Sequence, residues 1–292
     1  MIVPNQHNIK VHFAGAEVTT NTFVLKCLGI NYFLYTAFAF LERKVLKTKR
    51  APVFLGHLED QKQIPQYVCN GAKHVIQDSG LFTLMFGSHK GKKDERLIEA
   101  WYNALVEFTL ENNNNATVVE VDCQKILGVE KAWQLRERMK NELPNRQINV
   151  FHKEDGQKGL DRLIEFSDYI AVSVPELRVL GQKNHTEKIV HYIKNKKPSI
   201  DIHLLGCTEN KLLKQLSFCT SADSTSHKAP VRFGFIKGRH VKNIRTKEVV
   251  ELFGEKNYNF IRQYYSEAYA NTEVLSGFLY LQKYTQYGGT QD

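Results

Sequence analysis

The sequence of 292 residues has no cysteines at CxxC spacing; its five (Cys27, Cys69, Cys123, Cys207 and Cys219) are scattered and odd in number. That excludes a disulfide framework and predicts reduced thiols in a cytoplasmic setting. The opening residues lack a charged segment followed by an apolar one, so the expectation is that no secretory leader is removed. The longest apolar run near the start, 32–41, falls well short of the roughly 20 residues that a membrane-spanning helix needs. Secreted and membrane classes are therefore set aside. No Gly/Ser linker divides the chain, and its one low-complexity tract, Asn112 to Asn115, reads as a helix-end loop. A single domain over 1–292 is expected. With 42% hydrophobic and 24% charged residues, the composition also excludes disordered and fibrous classes.

Acid is scarce in three places. The chain carries 40 Lys and Arg against 31 Asp and Glu, a formal charge of +9. Segment 42–50 holds five basic residues and one acid. Segment 88–93 holds Lys90, Lys92 and Lys93 with no acid. Segment 228–247 holds seven basic residues and no acid, among them Lys228, Arg232, Lys237 and Arg239, interleaved with Phe233, Phe235 and His240. A surplus distributed in this way points to a polyanionic partner, most naturally nucleic acid, unless the runs are solvated loops.

What recurs along the chain is a short β-branched or aromatic run, a polar turn and a helical pattern. The runs occupy 9–14, 32–38, 74–78, 116–122, 148–152, 169–174, 201–207 and 218–223. Each is dense in β-branched or aromatic residues and short enough to be a buried strand. Between several of them, 94–110, 129–143, 160–166 and 186–194 carry apolar residues at helical spacing, the first with Asp94 as its cap. Strand–helix alternation implies parallel strands, and eight of them imply a closed (β/α)8 barrel of the TIM type. Residues 228–292 then form a basic segment followed by C-terminal helices, 247–269 broken near Gly254 and 272–284.

In such a barrel chemistry belongs at the carboxyl ends of the strands. Three runs end in or near aspartate: Gln77-Asp78-Ser79-Gly80, Glu120-Val121-Asp122 and Ser221-Ala222-Asp223-Ser224. Close carboxylates divide labour, one ionised as a nucleophile and another neutral enough to carry a proton. That arrangement suits displacement at an anomeric carbon. Phe82 and Phe86, after the third run, are placed either to stack on a base or to pack their loop. Glu17 and Glu176 also stand near strand ends, where helix capping or solvent exposure is expected ahead of the alternative, a supporting contact to a site residue.

The order of these motifs resembles the tRNA-guanine transglycosylase superfamily, and more closely its phage and bacterial branch that inserts 7-deazaguanines into DNA. Asp78-Ser79-Gly80-Leu81-Phe82 is similar to that family's Asp-Ser-Gly-Gly-Phe loop. Val119-Glu120-Val121-Asp122 resembles the strand whose aspartate binds the base, and Tyr169-Ile170-Ala171-Val172-Ser173 the strand against which the base packs. Leu204-Leu205-Gly206 resembles its Leu-Met-Gly strand, and Asp223 stands in the place of its nucleophile. The resemblance covers about residues 9–227. Leu81 and Thr83 depart from the family's glycine and glutamine, and Phe151-His152-Lys153-Glu154 replaces its Val-Gln-Gly-Gly loop. The Cys-x-Cys-x-x-Cys zinc site of the tRNA enzymes is missing, so no zinc subdomain is expected and DNA fits better than tRNA.

The resemblance implies a base-exchange glycosyltransferase, with Asp223 and Asp78 catalytic. It also implies that Asp122, Ser79, Gly80, Phe82, His152, Ser173 and Gly206 bind the base. Lys90, Lys92, Lys93, Lys228, Arg232, Lys237 and Arg239 are then the groups expected to grip phosphates. No metal or other cofactor is expected. The partners are nucleic acid and a 7-deazaguanine, and the location is the cytoplasm, that of the host if the protein is phage-encoded. Three alternatives stay open: a tRNA-guanine transglycosylase, a metal-dependent hydrolase using Asp78, Asp122, His152, His203 and Asp223, and a non-catalytic nucleic-acid-binding barrel. Against the hydrolase, the first strand has no His-x-His pair, and His203 falls mid-strand, where a side chain directed into the helix layer is expected.

Overall fold

A computed structural model describes residues 9–47, 58, 60–86, 94–179, 183–207 and 209–285. Eight parallel strands close into a barrel in sequence order: β1 (Lys10–Ala14), β2 (Tyr32–Thr36), β3 (His74–Asp78), β4 (Thr117–Val119), β5 (Gln147–Phe151), β6 (Tyr169–Ser173), β7 (Asp201–Leu205) and β8 (Ser221–Ser224). The last strand pairs with the first, His12 opposite Asp223. Helices follow the strands and cover the barrel, so the fold is the expected (β/α)8 barrel with C-terminal helices. Among the described residues no helix is long and apolar enough to cross a membrane.

The runs are dense in hydrophobic residues because both faces of a barrel strand are largely buried. Strand alternation then divides them. In β1, Val11 and Phe13 join the layer between barrel and helices, whereas Ala14 joins Leu34, Ile76, Val119, Ile148, Val150, Tyr169 and Ala171 inside. Below this interior cluster, nearer the strands' amino ends, the filling turns polar. His12 Nε2 meets His74 Nδ1 at 2.8 Å, and His74 Nε2 meets Thr117 Oγ1 at 2.8 Å. On the other side, Ser221 Oγ lies 2.5 Å from both His203 Nδ1 and the Tyr169 hydroxyl. Burial, and then the neighbouring imidazoles, hold the pKa of His12 well below the ordinary value and bring that of His74 down to about 4.

Several boundaries differ from expectation, each for a local reason. β4 stops at Val119: the Glu120 amide still donates to the Ile148 carbonyl of β5 at 3.1 Å, and the chain then turns away at residues 121–123. β8 begins at Ser221 because Cys219 still donates to the Leu216 carbonyl at the end of the preceding helix. The C-terminal region breaks twice. Gly254, at φ 82°, separates Thr246–Phe253 from Glu255–Arg262, as expected. A second break, at 263–266, carries neither Gly nor Pro, and the final helix therefore starts at Glu267 rather than Thr272. A two-stranded hairpin, β9 (Phe235–Ile236) and β10 (Arg239–His240), has no counterpart in the expected pattern.

Where β4 ends, a buried ion pair fixes the chain. Glu120 accepts from Arg136 Nε at 2.7 Å and Nη2 at 2.6 Å, from Asn149 Nδ2 at 2.6 Å and from the Val150 amide at 2.9 Å. Glu120 and Arg136 are both buried. Removing one member strands the other charge without a partner, at a cost of about 3–5 kcal/mol. Arg136→Leu is therefore expected to lower stability by about that amount in urea unfolding. A loss under 1 kcal/mol would show that this pair does not hold the end of β4.

Candidate active site at the carboxyl ends of the strands

Asp78 is the last residue of β3, and the turn after it admits only glycine. Gly80 sits at φ 74°, and a Cβ there would lie 2.7–2.9 Å from Cβ and backbone atoms of Phe38. Its amide donates to Asp78 Oδ1 at 2.8 Å, and the Thr36 hydroxyl donates to the same oxygen at 3.3 Å. The Ser79 carbonyl behind it accepts from the Trp101 indole at 2.9 Å. Burial raises the Asp78 pKa to about 7, against the pull of the Gly80 amide, and the negative charges of Asp122 and Asp223 add to the rise. Asp78 therefore senses both of the other strand-end aspartates across the barrel mouth.

Asp122 reaches that mouth by a break in the strand. Were β4 to continue, Glu120 and Asp122 would point the same way. Instead the Cys123 amide donates to the Val121 carbonyl at 2.9 Å, a three-residue γ-turn centred on Asp122. Glu120 stays with Arg136, while Asp122 Oδ2 meets His152 Nε2 at 2.9 Å. His152 Nδ1 meets Glu176 Oε2 at 2.8 Å, and Glu176 Oε1 lies 3.0 Å from Lys125 Nζ. Burial alone would lower the His152 pKa. Hydrogen bonds to two carboxylates outweigh it and push the value up to about 10, so the ring is an imidazolium at neutral pH. Charges thus alternate along Asp122, His152, Glu176 and Lys125. His152 spends both ring nitrogens on carboxylates, an arrangement that positions Asp122.

Glu176→Gln removes one of the two carboxylates on His152. The ring should then titrate well below 10 in an NMR pH titration, still above the ordinary 6.5 because Asp122 remains. An unchanged titration would show that Glu176 does not hold the proton.

Asp223 is oriented through one oxygen. Its Oδ1 accepts from the Gly206 amide at 2.7 Å, and His203 Nε2 lies 3.3 Å from the same atom. Gly206 is at φ 62°, with the Pro175 ring 2.8 Å from where a Cβ would stand, so glycine is required here too. His203 is fully buried inside the barrel beside Tyr169 and His12, which corrects the expectation that it enters the helix layer. Its parity with Leu205, an interior residue, carried that signal.

The remaining candidates divide. Ser79 is buried, Ser173 ends β6 opposite Leu205, and Phe82 is exposed on the short helix that follows β3. Lys228 turns inward: its ammonium donates to the Gly15 carbonyl at 3.0 Å and, with the Asn21 amide assigned by its hydrogen bonds, to Asn21 at 3.2 Å. Buried Glu273 is its electrostatic partner. Arg239 pairs with Glu248 at 2.9 Å, whereas Arg232 and Lys237 are exposed. Lys90, Lys92 and Lys93 lie outside the described residues, as does the Phe86 side chain. Glu176 takes the supporting role rather than the expected exposed or capping one. It is half-buried against His152 rather than capping a helix in solvent, and Glu17 accepts from the Thr36 amide at 3.3 Å.

Among the described residues, one group has metal-ligand spacing: His152, Glu154 and Glu176. A metal there would have to displace the His152 proton shared with Glu176. Asp78, Asp122 and Asp223 do not form such a group. Asp122 and Asp223 act on Asp78 through their charge. A cavity of about 740 Å³ at the opposite end of the barrel, lined by Tyr67, His74 and residues 113–115, contains none of the three. The chain matches no protein-family model and no curated protein.

Proposed function

We propose that the protein is a base-exchange glycosyltransferase that replaces guanine in a polynucleotide with a 7-deazaguanine. The observation that carries this reading is the shared mouth of Asp78, Asp122 and Asp223, in which one carboxyl has a pKa near 7. Neighbouring carboxyls with different proton affinities are what a double displacement at C1′ requires. The order of strand-end motifs, which resembles that of the transglycosylase superfamily, supplies the substrate class. DNA is the proposed polymer because the sequence lacks the cysteine motif of the tRNA enzymes.

In the proposed reaction the target nucleotide is turned out of its stack into the mouth. Asp223, held through Oδ1 by Gly206, attacks C1′ with its other oxygen. The C1′–N9 bond breaks, its electron pair leaves with guanine, and the Asp78 carboxyl donates the proton that neutralises it. The incoming 7-deazaguanine then loses its N9 proton to the Asp78 carboxylate, and N9 displaces Asp223 from C1′. Asp122, fixed on one side by His152, accepts hydrogen bonds from the base edge. Proton balance closes because Asp78 gives one proton and regains one.

The deciding assay supplies DNA or tRNA containing labelled guanine and follows label release with and without a free 7-deazaguanine. Release that requires the deazaguanine, with label lost from DNA, is expected. No release from either polymer would remove the reading. Release from tRNA alone would move it to the tRNA enzymes.

A further inference from the structure

After β8 the chain carries no acidic residue from Ser224 to Lys247, and within this stretch it builds the β9–β10 hairpin. Strand alternation sends Ile236 inward, where it is buried with Ile244, Val249 and Val274 of the C-terminal region. The same alternation turns Phe235 outward. It is 57% exposed, and Phe233, at the end of the preceding short helix, is 70% exposed. Large aromatic side chains bury 150–250 Å² when packed, so leaving these two mostly exposed, Phe235 with only an edge-on contact to the His240 ring, forgoes substantial stabilisation.

The hairpin tip is also unusual. Ile236 pairs with Arg239, which leaves Lys237 and Gly238 as a two-residue loop, both at positive φ (47° and 76°). Glycine adopts this conformation freely, whereas lysine does so at a cost, and strained residues of this kind cluster at functional sites. Lys237, Arg232 and Lys242 are all exposed around the two phenylalanines.

From this juxtaposition we infer that the hairpin is a stacking platform for single-stranded nucleic acid. Phe233 and Phe235 take unpaired bases beside the target nucleotide, and Arg232, Lys237 and Lys242 take the phosphates. Aromatic faces within a basic surface are the chemistry that grips single strands without reading sequence. The inference rests on the polynucleotide reading above and adds to it that the flanking nucleotides are unpaired when bound. An anionic membrane and a second copy of the chain are the occupants it argues against.

The test is fluorescence anisotropy with a labelled mixed-sequence DNA, single-stranded and as its duplex, over a series of salt concentrations. The doubly substituted Phe233→Ala, Phe235→Ala protein should bind the single strand at least about tenfold more weakly, with little change for the duplex and an unchanged salt slope. Phe235→Trp should keep single-strand affinity, and Lys237→Gln should lower the salt slope by about one. An unchanged melting temperature of the double variant ties its loss to the surface. Wild-type affinity in the double variant would overturn the platform while leaving the polynucleotide reading intact. So would an effect confined to anionic vesicles or to self-association in sedimentation. An unaltered protein that binds neither form of DNA would remove both readings.

Discussion

Asp223→Asn will abolish base exchange, with a loss on the order of 10⁴-fold or more, while leaving DNA affinity within about twofold of the unaltered protein. The amide keeps the shape of the side chain and its acceptor oxygen, so the Gly206 amide, 2.7 Å from Oδ1, still finds a partner. What is lost is the charged oxygen that must attack C1′ and stabilise an oxocarbenium-like centre. Binding survives because phosphate contacts, not this carboxylate, supply most of the affinity. Parallel measurement of exchange rate and dissociation constant checks both halves. Retained exchange would remove Asp223 from the mechanism, and lost binding would make its role structural.

Asp78→Asn should fail differently. The nucleophile remains, so a covalent intermediate can still form. The proton needed by the leaving base and the acceptor needed by the incoming one are both gone, and turnover should fall by about 10²–10⁴-fold. The pH profile gives an independent reading. With a pKa of about 7, Asp78 is protonated below neutrality and ionised above it. The first half-reaction needs the acid, so guanine release in a single turnover should decline as pH rises through about 7. The return step needs the base and should decline as pH falls through the same value. Stability carries the matching sign. The folded value lies above the ordinary 3.8, so the native state holds a proton that the unfolded chain has released between pH 4 and 7, and ionised Asp78 costs stability above that window. Asp78→Asn should therefore raise Tm by roughly 3 °C at pH 8 and change it little at pH 3. An unchanged pH profile of guanine release in the Asn variant would exclude Asp78 as the proton carrier.

Much of this arrangement is legible in the sequence because a barrel strand is an unusually local object. Eight short apolar runs ending in polar turns mark the strands, and the rule that chemistry sits at their carboxyl ends selects Asp78, Asp122 and Asp223. What escapes is whatever depends on partners distant in the chain. Nothing near Glu176 announces His152, since the contact exists only because β5 and β6 are neighbours in the barrel. Lys228 belongs by composition to a basic run, yet Gly15, at the end of β1, draws its ammonium inward because β8 closes on β1. The γ-turn that separates Asp122 from Glu120 is similarly invisible. Alternation would put both on one face, and the buried Arg136 decides which of them stays. The hairpin escapes too: its two-residue loop of Lys237 and Gly238 lacks the usual Asn-Gly signal, so the segment shows only as basic residues interleaved with aromatics.

The central claim is that Asp223 becomes covalently joined to the sugar. Its most direct test is to incubate the protein with end-labelled polynucleotide in the absence of free base, digest the denatured product and map the modified peptide by mass spectrometry. The account predicts a nucleotide adduct on the peptide containing Asp223, cleared when a free 7-deazaguanine is added before denaturation and absent from Asp223→Asn. An adduct on Asp78 or Asp122, or exchange that proceeds with no adduct at any site, would contradict it.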